Sequence, residues 1–200
     1  MAALRVAAVA LTAFASTGCT DWREKVRPGL ASGPVQTPVE AVPSALQFGA
    51  TKASLLARAH YETTAWVVAV DDDFDDGLEE VMPLDVALAW GPLGNPDILE
   101  TMSFHLARRY VSARWDGEMP LANDVVMQHL SNHHLVFSSE ALRAQLEDVE
   151  PGELLELEGH LVDIDLGHRK VRTSLSRKDK GNGACEVLFV ERAVRSRPGH

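Results

Sequence analysis

The chain has little with which to grip nucleic acid or to cross a bilayer as a helix. Aromatic residues are only 6% of its 200 residues, too few for a platform on which bases stack. Lys and Arg number 19 against 29 Asp and Glu, a formal charge of −10 at pH 7. No basic block stands out to neutralise phosphates, so nucleic acid is not an expected partner. After the first residues no apolar run reaches the ~18–20 residues of a spanning helix. Cysteines are scarce too: Cys19 and Cys185 allow one internal bridge at most. Familiar catalytic signatures are missing. Leu130 stands where an H-E-x-x-H zinc motif needs glutamate, and Gly91-Pro92-Leu93-Gly94-Asn95-Pro96 lacks the glycine order and lysine of a phosphate loop. What is present is a hydrophobic fraction of 46%, enough for one domain with a substantial core.

The N-terminus reads as an export signal over 1–18. Arg5 supplies the positive region and Val6 to Ala15 a short apolar one. Ser16-Thr17-Gly18-Cys19 then resembles the lipobox of bacterial lipoproteins, in which the cysteine is diacylglycerated and becomes the new N-terminus. Ala13-Phe14-Ala15 offers a rival cleavage site that would release a soluble periplasmic protein. On the lipoprotein reading the chain sits in the cell envelope, on the outer membrane or the periplasmic face of the inner one, with the membrane as a partner through Cys19. Cys185 is then alone in an oxidising compartment; if Cys19 stays unmodified, a bridge between the two is open.

Residues 19–48 read as a tether, interrupted by Pro28, Pro34, Pro38 and Pro43. A globular domain is expected over 49–196, with a short tail at 197–200. Thr51 is placed to cap a short helix carrying Leu55, Leu56 and Ala59 on one side. Ala65 to Val70 is apolar on both faces and hence a central strand. Val86 to Trp90, Phe104 to Trp115 and Leu135 to Phe137 add short strands, and Ser138 or Ser139 caps a helix bearing Leu142, Leu146 and Val149. The apolar positions 155, 157 and 161 are odd, whereas 162, 164 and 166 are even. Such a switch beside Gly159 signals a β-bulge or a sharply coiled strand. Lys170–Ser176 and Cys185–Val194 read as a hairpin across a polar turn. The expected architecture is mainly β (α+β), a small OB-like barrel with one or two short helices.

Several blocks carry a further resemblance, spanning about residues 61–191. They are Pro83-Leu-Asp-Val-Ala-Leu-Ala-Trp-Gly-Pro92, Arg109-Tyr110, Asn132-His133-His134, Gly159-His160-Leu161-Val162 and Ser174 to Glu186. Through them the chain resembles a family of exported bacterial proteins, departing at Ala89 and Phe137, where glycine and proline are usual. The resemblance implies a shared fold and brings no activity with it.

The last block also holds the one candidate nucleophile. A cysteine needs a base to form thiolate and a group to orient that base. Cys185 is the candidate thiol, His134 the base, and Asn132 or Asp179 the orienting group. The competing reading places Cys185, Val187 and Phe189 on one strand face, where the thiol merely fills the barrel interior. His129, His133 and His134 resemble a zinc pair on a helix but lack a third ligand at suitable spacing. In the acidic run Asp71 to Gly77, Asp76 stands where an EF-hand needs glycine and Met82 where it needs glutamate. Ser174 or Ser176 with Lys178 makes no convincing dyad, because Lys178 falls in the solvated turn. No cofactor or metal is expected. The leading expectation is a lipid-anchored envelope protein whose β domain binds an envelope protein or small ligand. The alternatives are a thiol-dependent hydrolase or redox protein using Cys185 with His134, or a purely structural envelope component.

Overall fold

Period-two alternation dominates residues 31, 33–41, 43–176 and 185–197, which the computed structural model describes. Residues 1–18, expected as a signal, and Cys19, Arg177, Lys178 and Asp179 lie outside the described residues. The strands are β1 Gly33–Pro38, β2 Pro43–Phe48, β3 Thr51–Asp71, β4 Leu84–Ala89, β5 Met102–Ala107, β6 Tyr110–Trp115, β7 Leu130–Phe137, β8 Leu154–Asp165, β9 Lys170–Val171 and β10 Glu186–Ser196. Short helices α1 Pro96–Leu99, α2 Asn123–His129 and α3 Glu140–Leu146 connect them. Ser139 caps α3 as expected, its hydroxyl accepting from the Leu142 N–H at 3.3 Å.

The protein is mainly β, and its central pairings form a ring. β3 pairs with β4, β4 with β7, β7 with β10, β10 with β8, and β8 returns to β3. Only the β7–β10 pair is parallel. Numbered along the chain, these five strands run in the order 1-2-3-5-4-1, with α3 between the third and fourth. That order is the OB-like arrangement.

Two cores result from the alternation. Neighbours on a strand point to opposite faces, and three neighbouring pairs divide this way: Leu135 and Val136, Leu161 and Val162, Leu188 and Val187. The first of each joins the larger cluster with Tyr61, Trp66, Leu88, Leu155 and Leu157 inside the ring. The second joins a smaller cluster on the reverse face, roofed by Leu78, Val81 and Met82 from the β3–β4 connection. The parity switch along β8 is the point where this strand stops burying one face and starts burying the other. The extra residues sit in its neighbours, with register shifts between Ala57 and Ala59 in β3 and between Val190 and Arg192 in β10. Gly159 lies where they close in. A Cβ there would overlap the Phe189 carbonyl oxygen, which is backbone and cannot swing away. Gly159→Ala should therefore cost about 1–3 kcal/mol of stability, read from urea unfolding midpoints at unchanged slope.

Four expectations are corrected. Thr51 starts a 21-residue strand rather than a helix, because β2 bonds one edge of β3 and β8 the other. Residues 33–38 and 43–48, expected as tether, are strands; Pro34, Pro38 and Pro43 fit because β1 and β2 each pair only with β3 and leave an edge where a missing N–H costs little. Phe104 to Trp115 is a hairpin, β5–β6, turning at Arg108-Arg109. Lys170–Ser176 keeps only the two residues of β9 as strand, and they pair with β8 rather than with β10.

Candidate functional site

Three adjacent strands bring an acid, an imidazole and a thiol side by side. On β7, Ser131 and His133 join the inside of the ring, so Asn132 and His134 take the reverse face. Asp85 on β4 is the direct cross-strand partner of His134. Cys185 immediately precedes β10, whose Val187 pairs with His134 from the other side. Cys185 shares its face with Val187, a member of the reverse-face cluster. The thiol thus does not fill the barrel interior, and it is only partly buried.

The geometry is that of an oriented base. His134 Nδ1 donates to Asp85 Oδ2 at 2.8 Å. Asp85 is fully buried and accepts two further bonds, from Arg109 at 2.9 Å and from Asn132 Nδ2 at 3.0 Å. Burial pushes the His134 imidazole down, but the hydrogen bond and charge of Asp85, together with the Cys185 sulfur, outweigh it and raise the pKa to about 9. At neutral pH the imidazolium therefore faces the sulfur. Cys185 Sγ also lies 3.7 Å from the Arg109 carbonyl, and Asn132 Nδ2 donates to that same carbonyl at 2.9 Å.

Arg109 locks the assembly together. Its guanidinium bonds Asp76 at 2.6 and 3.2 Å, the Met82 carbonyl at 3.1 Å and Asp85, and lies 3.7 Å over the Phe74 ring. To reach there it occupies the second position of a two-residue hairpin turn, with φ of 52° at Arg108 and 65° at Arg109. Turns of this hand favour Asn-Gly, and a side chain in the left-handed region costs roughly 1–2 kcal/mol. The buried ion pairs of Arg109 offset that strain, which is placed beside the thiol.

Above Cys185 and His134 opens a cavity of about 580 Å³, within the range of small-molecule sites. Asp76, Leu78 and Met82 line one flank, Arg108, Arg109 and Tyr110 another, and Arg169, Lys170, Val171 and Arg172 the third. The cavity lies over His134 of the third ring strand, between the connection joining strands one and two and that joining strands four and five.

Of the residues singled out in the sequence, Cys185, His134 and Asn132 come together. The orienting acid is Asp85, which the sequence reading missed. Its signal was a lone charge within Pro83 to Ala89, since a carboxylate in an otherwise apolar strand needs a buried partner. Arg109 was also missed as a site residue. His133 points inside the ring, with Nε2 2.7 Å from the Tyr61 hydroxyl, and Glu186 faces the same interior beside Ser131. His129 closes α2, with Nδ1 2.8 Å from the Val125 carbonyl. The chain leaves helix for strand at Leu130, so the three imidazoles diverge. The Ser174 hydroxyl donates to the Ser176 carbonyl and accepts from the Ser176 N–H. In the acidic run, Asp76 serves Arg109.

Elsewhere, His60, Glu62 and Glu158 approach closely enough to share a metal ion. Arg192 already holds Glu158 at 2.6 Å, which opposes a cation there. Comparison of the chain with protein-family models, curated proteins and solved structures returned no match.

Proposed function

We propose that the protein is a thiol-dependent hydrolase of the cell envelope, with Cys185 as nucleophile, His134 as acid and base, and Asp85 as the group that orients His134. The observation that carries this reading is the buried 2.8 Å bond from His134 to Asp85, with the partly accessible Cys185 on the other neighbouring strand and a cavity lined by both His134 and Cys185. A structural cysteine needs no imidazole held in one tautomer. Redox chemistry has less support, because Cys19 is the only other thiol in the chain.

The chemistry follows from these positions. The thiolate attacks an acyl carbon, forming a C–S bond. The bond to the leaving oxygen or nitrogen breaks as imidazolium returns its proton to that atom. Water then attacks the thioester while neutral His134 takes its proton, and the carboxylic acid leaves as the thiol reforms. Four of the five blocks through which the chain resembles exported bacterial proteins contribute to the site: Asp85, Arg109, Asn132 with His134, and Cys185. The export signal and the lipid on Cys19 would hold the enzyme at the membrane.

The test mixes the full chain with p-nitrophenyl esters. The expected result is a burst of nitrophenol equal to the protein concentration, with the acyl mass on the Cys185 peptide, both abolished by Cys185→Ala. Hydrolysis that survives this substitution, or absence of the adduct, would reject the enzyme and leave a binding module.

A further inference from the structure

The wall of the cavity is basic in an acidic protein. Of the 19 Lys and Arg residues in a chain of formal charge −10, five line this one cavity: Arg108, Arg109, Arg169, Lys170 and Arg172. Among the described residues the only acidic side chain in the lining is Asp76, and Arg109 occupies its carboxylate. The five cations are not equivalent. Arg109 is buried and consumed by Asp76, Asp85 and Met82, and Lys170 is held by Asp165 at 2.8 Å. Among the described residues Arg169 reaches only the Asp76 backbone carbonyl, at 2.7 Å. Arg108 and Arg172 are exposed and have no hydrogen-bond or ion-pair partner among the described residues.

Two unpaired guanidinium groups on the rim of a cavity that ends at a thiol are suited to one kind of ligand group. Guanidinium presents a planar fork of donors that matches carboxylate or phosphate oxygens, and it stays charged at any relevant pH. A concave wall of one sign also concentrates counter-ions at its mouth. Arg108 is held in the left-handed region, so its side chain is projected from a turn whose geometry would favour glycine.

Resting on the thiol-hydrolase reading, we infer that the substrate carries an anionic group, a carboxylate or a phosphate, which Arg108 and Arg172 hold while the acyl carbon faces Cys185. Anion selection by these two arginines thereby sets substrate class, and the chemistry at sulfur is left to His134 and Asp85.

The experiment compares iodoacetate with iodoacetamide on the full chain, following the Cys185 peptide by mass spectrometry. Both reagents form a C–S bond and expel iodide, and they differ in a carboxylate. The expected iodoacetate-to-iodoacetamide rate ratio is roughly tenfold above that of the urea-unfolded chain at low salt, and it shrinks as ionic strength rises. Arg108→Gly and Arg172→Ala should each lower the ratio; glycine accepts the positive φ of residue 108, so the first variant keeps the turn. Added inorganic phosphate or succinate should slow iodoacetate, and the stronger competitor identifies which anion the site takes. A ratio equal to that of the unfolded chain, or one that neither competitor reduces, overturns the inference and leaves the thiol hydrolase standing. Cys185 unreactive to both reagents in the folded chain would overturn both.

Discussion

Asp85→Asn should lower p-nitrophenyl ester turnover by on the order of 10³–10⁴, the scale seen when the orienting acid of a catalytic triad becomes an amide. The reason lies in the proton on His134. With a carboxylate at Oδ2, Nδ1 carries hydrogen and donates at 2.8 Å, leaving Nε2 to exchange a proton with the thiol. The amide of the variant turns a donor towards the ring or leaves Nδ1 unpaired. Either arrangement favours hydrogen on Nε2, where it blocks the base. His134→Ala removes the base outright and should bring turnover down at least as far. Iodoacetamide labelling separates this from simple unfolding. At pH 6 an ordinary thiol, with a pKa of ~8.5, is only about 0.3% thiolate. Removing the imidazole should slow Cys185 alkylation on the order of tenfold, because the base that would take the thiol proton is gone. If both variants retain turnover and labelling rates within about twofold of the parent, no triad operates. A factor of two is only about 0.4 kcal/mol, too little for a lost base.

The second expected result is a fall in stability on the alkaline side. His134 is raised from 6.5 to about 9 in the folded protein. Between those values the folded chain holds a proton that the unfolded chain has released. Stability therefore falls as pH rises through this window; the contribution is complete below about 6.5 and lost above about 9. At 1.36 kcal/mol per pH unit the loss is roughly 3 kcal/mol. Asp85 and Cys185 both favour the protonated imidazole, so His134 keeps its proton through this window in the folded chain. Urea midpoints at pH 6 and pH 9.5 measure the fall, and His134→Gln should flatten it. Parallel pH profiles for parent and variant would show that the raised imidazole contributes nothing to folding.

Much of the fold was legible because it depends on local alternation. Ala65 to Val70 is apolar on both faces and became the buried part of β3. The cap at Ser139 and the parity switch near Gly159 were equally readable, each being set within a few residues. The misreadings share one cause. Leu55, Leu56 and Ala59 satisfy a helical spacing, but β2 and β8 offer two rows of backbone partners that no local pattern reveals. Pro34 and Pro38 suggest a tether until β3 supplies an edge where their missing N–H groups are harmless.

The site divides along the same line. Cys185, His134 and Asn132 could be named as chemical types, since a thiol, an imidazole and an amide are visible wherever they fall in a chain. Which of them meet depended on β4, β7 and β10 lying side by side, a matter of strand order and register across about 100 residues of chain. Asp85 and Arg109 show the difference most clearly. Within its own segment each is a lone charge, on an apolar strand or in a tight turn. By itself the sequence determined the strand alternation, the acidic balance and the inventory of reactive groups, because these depend on residues and their near neighbours. Only the tertiary structure decided that Asp85 orients His134, that Cys185 faces a cavity rather than the core, and that the wall of that cavity is cationic. Those are pairings between distant segments, and the closing of the ring brings them into contact.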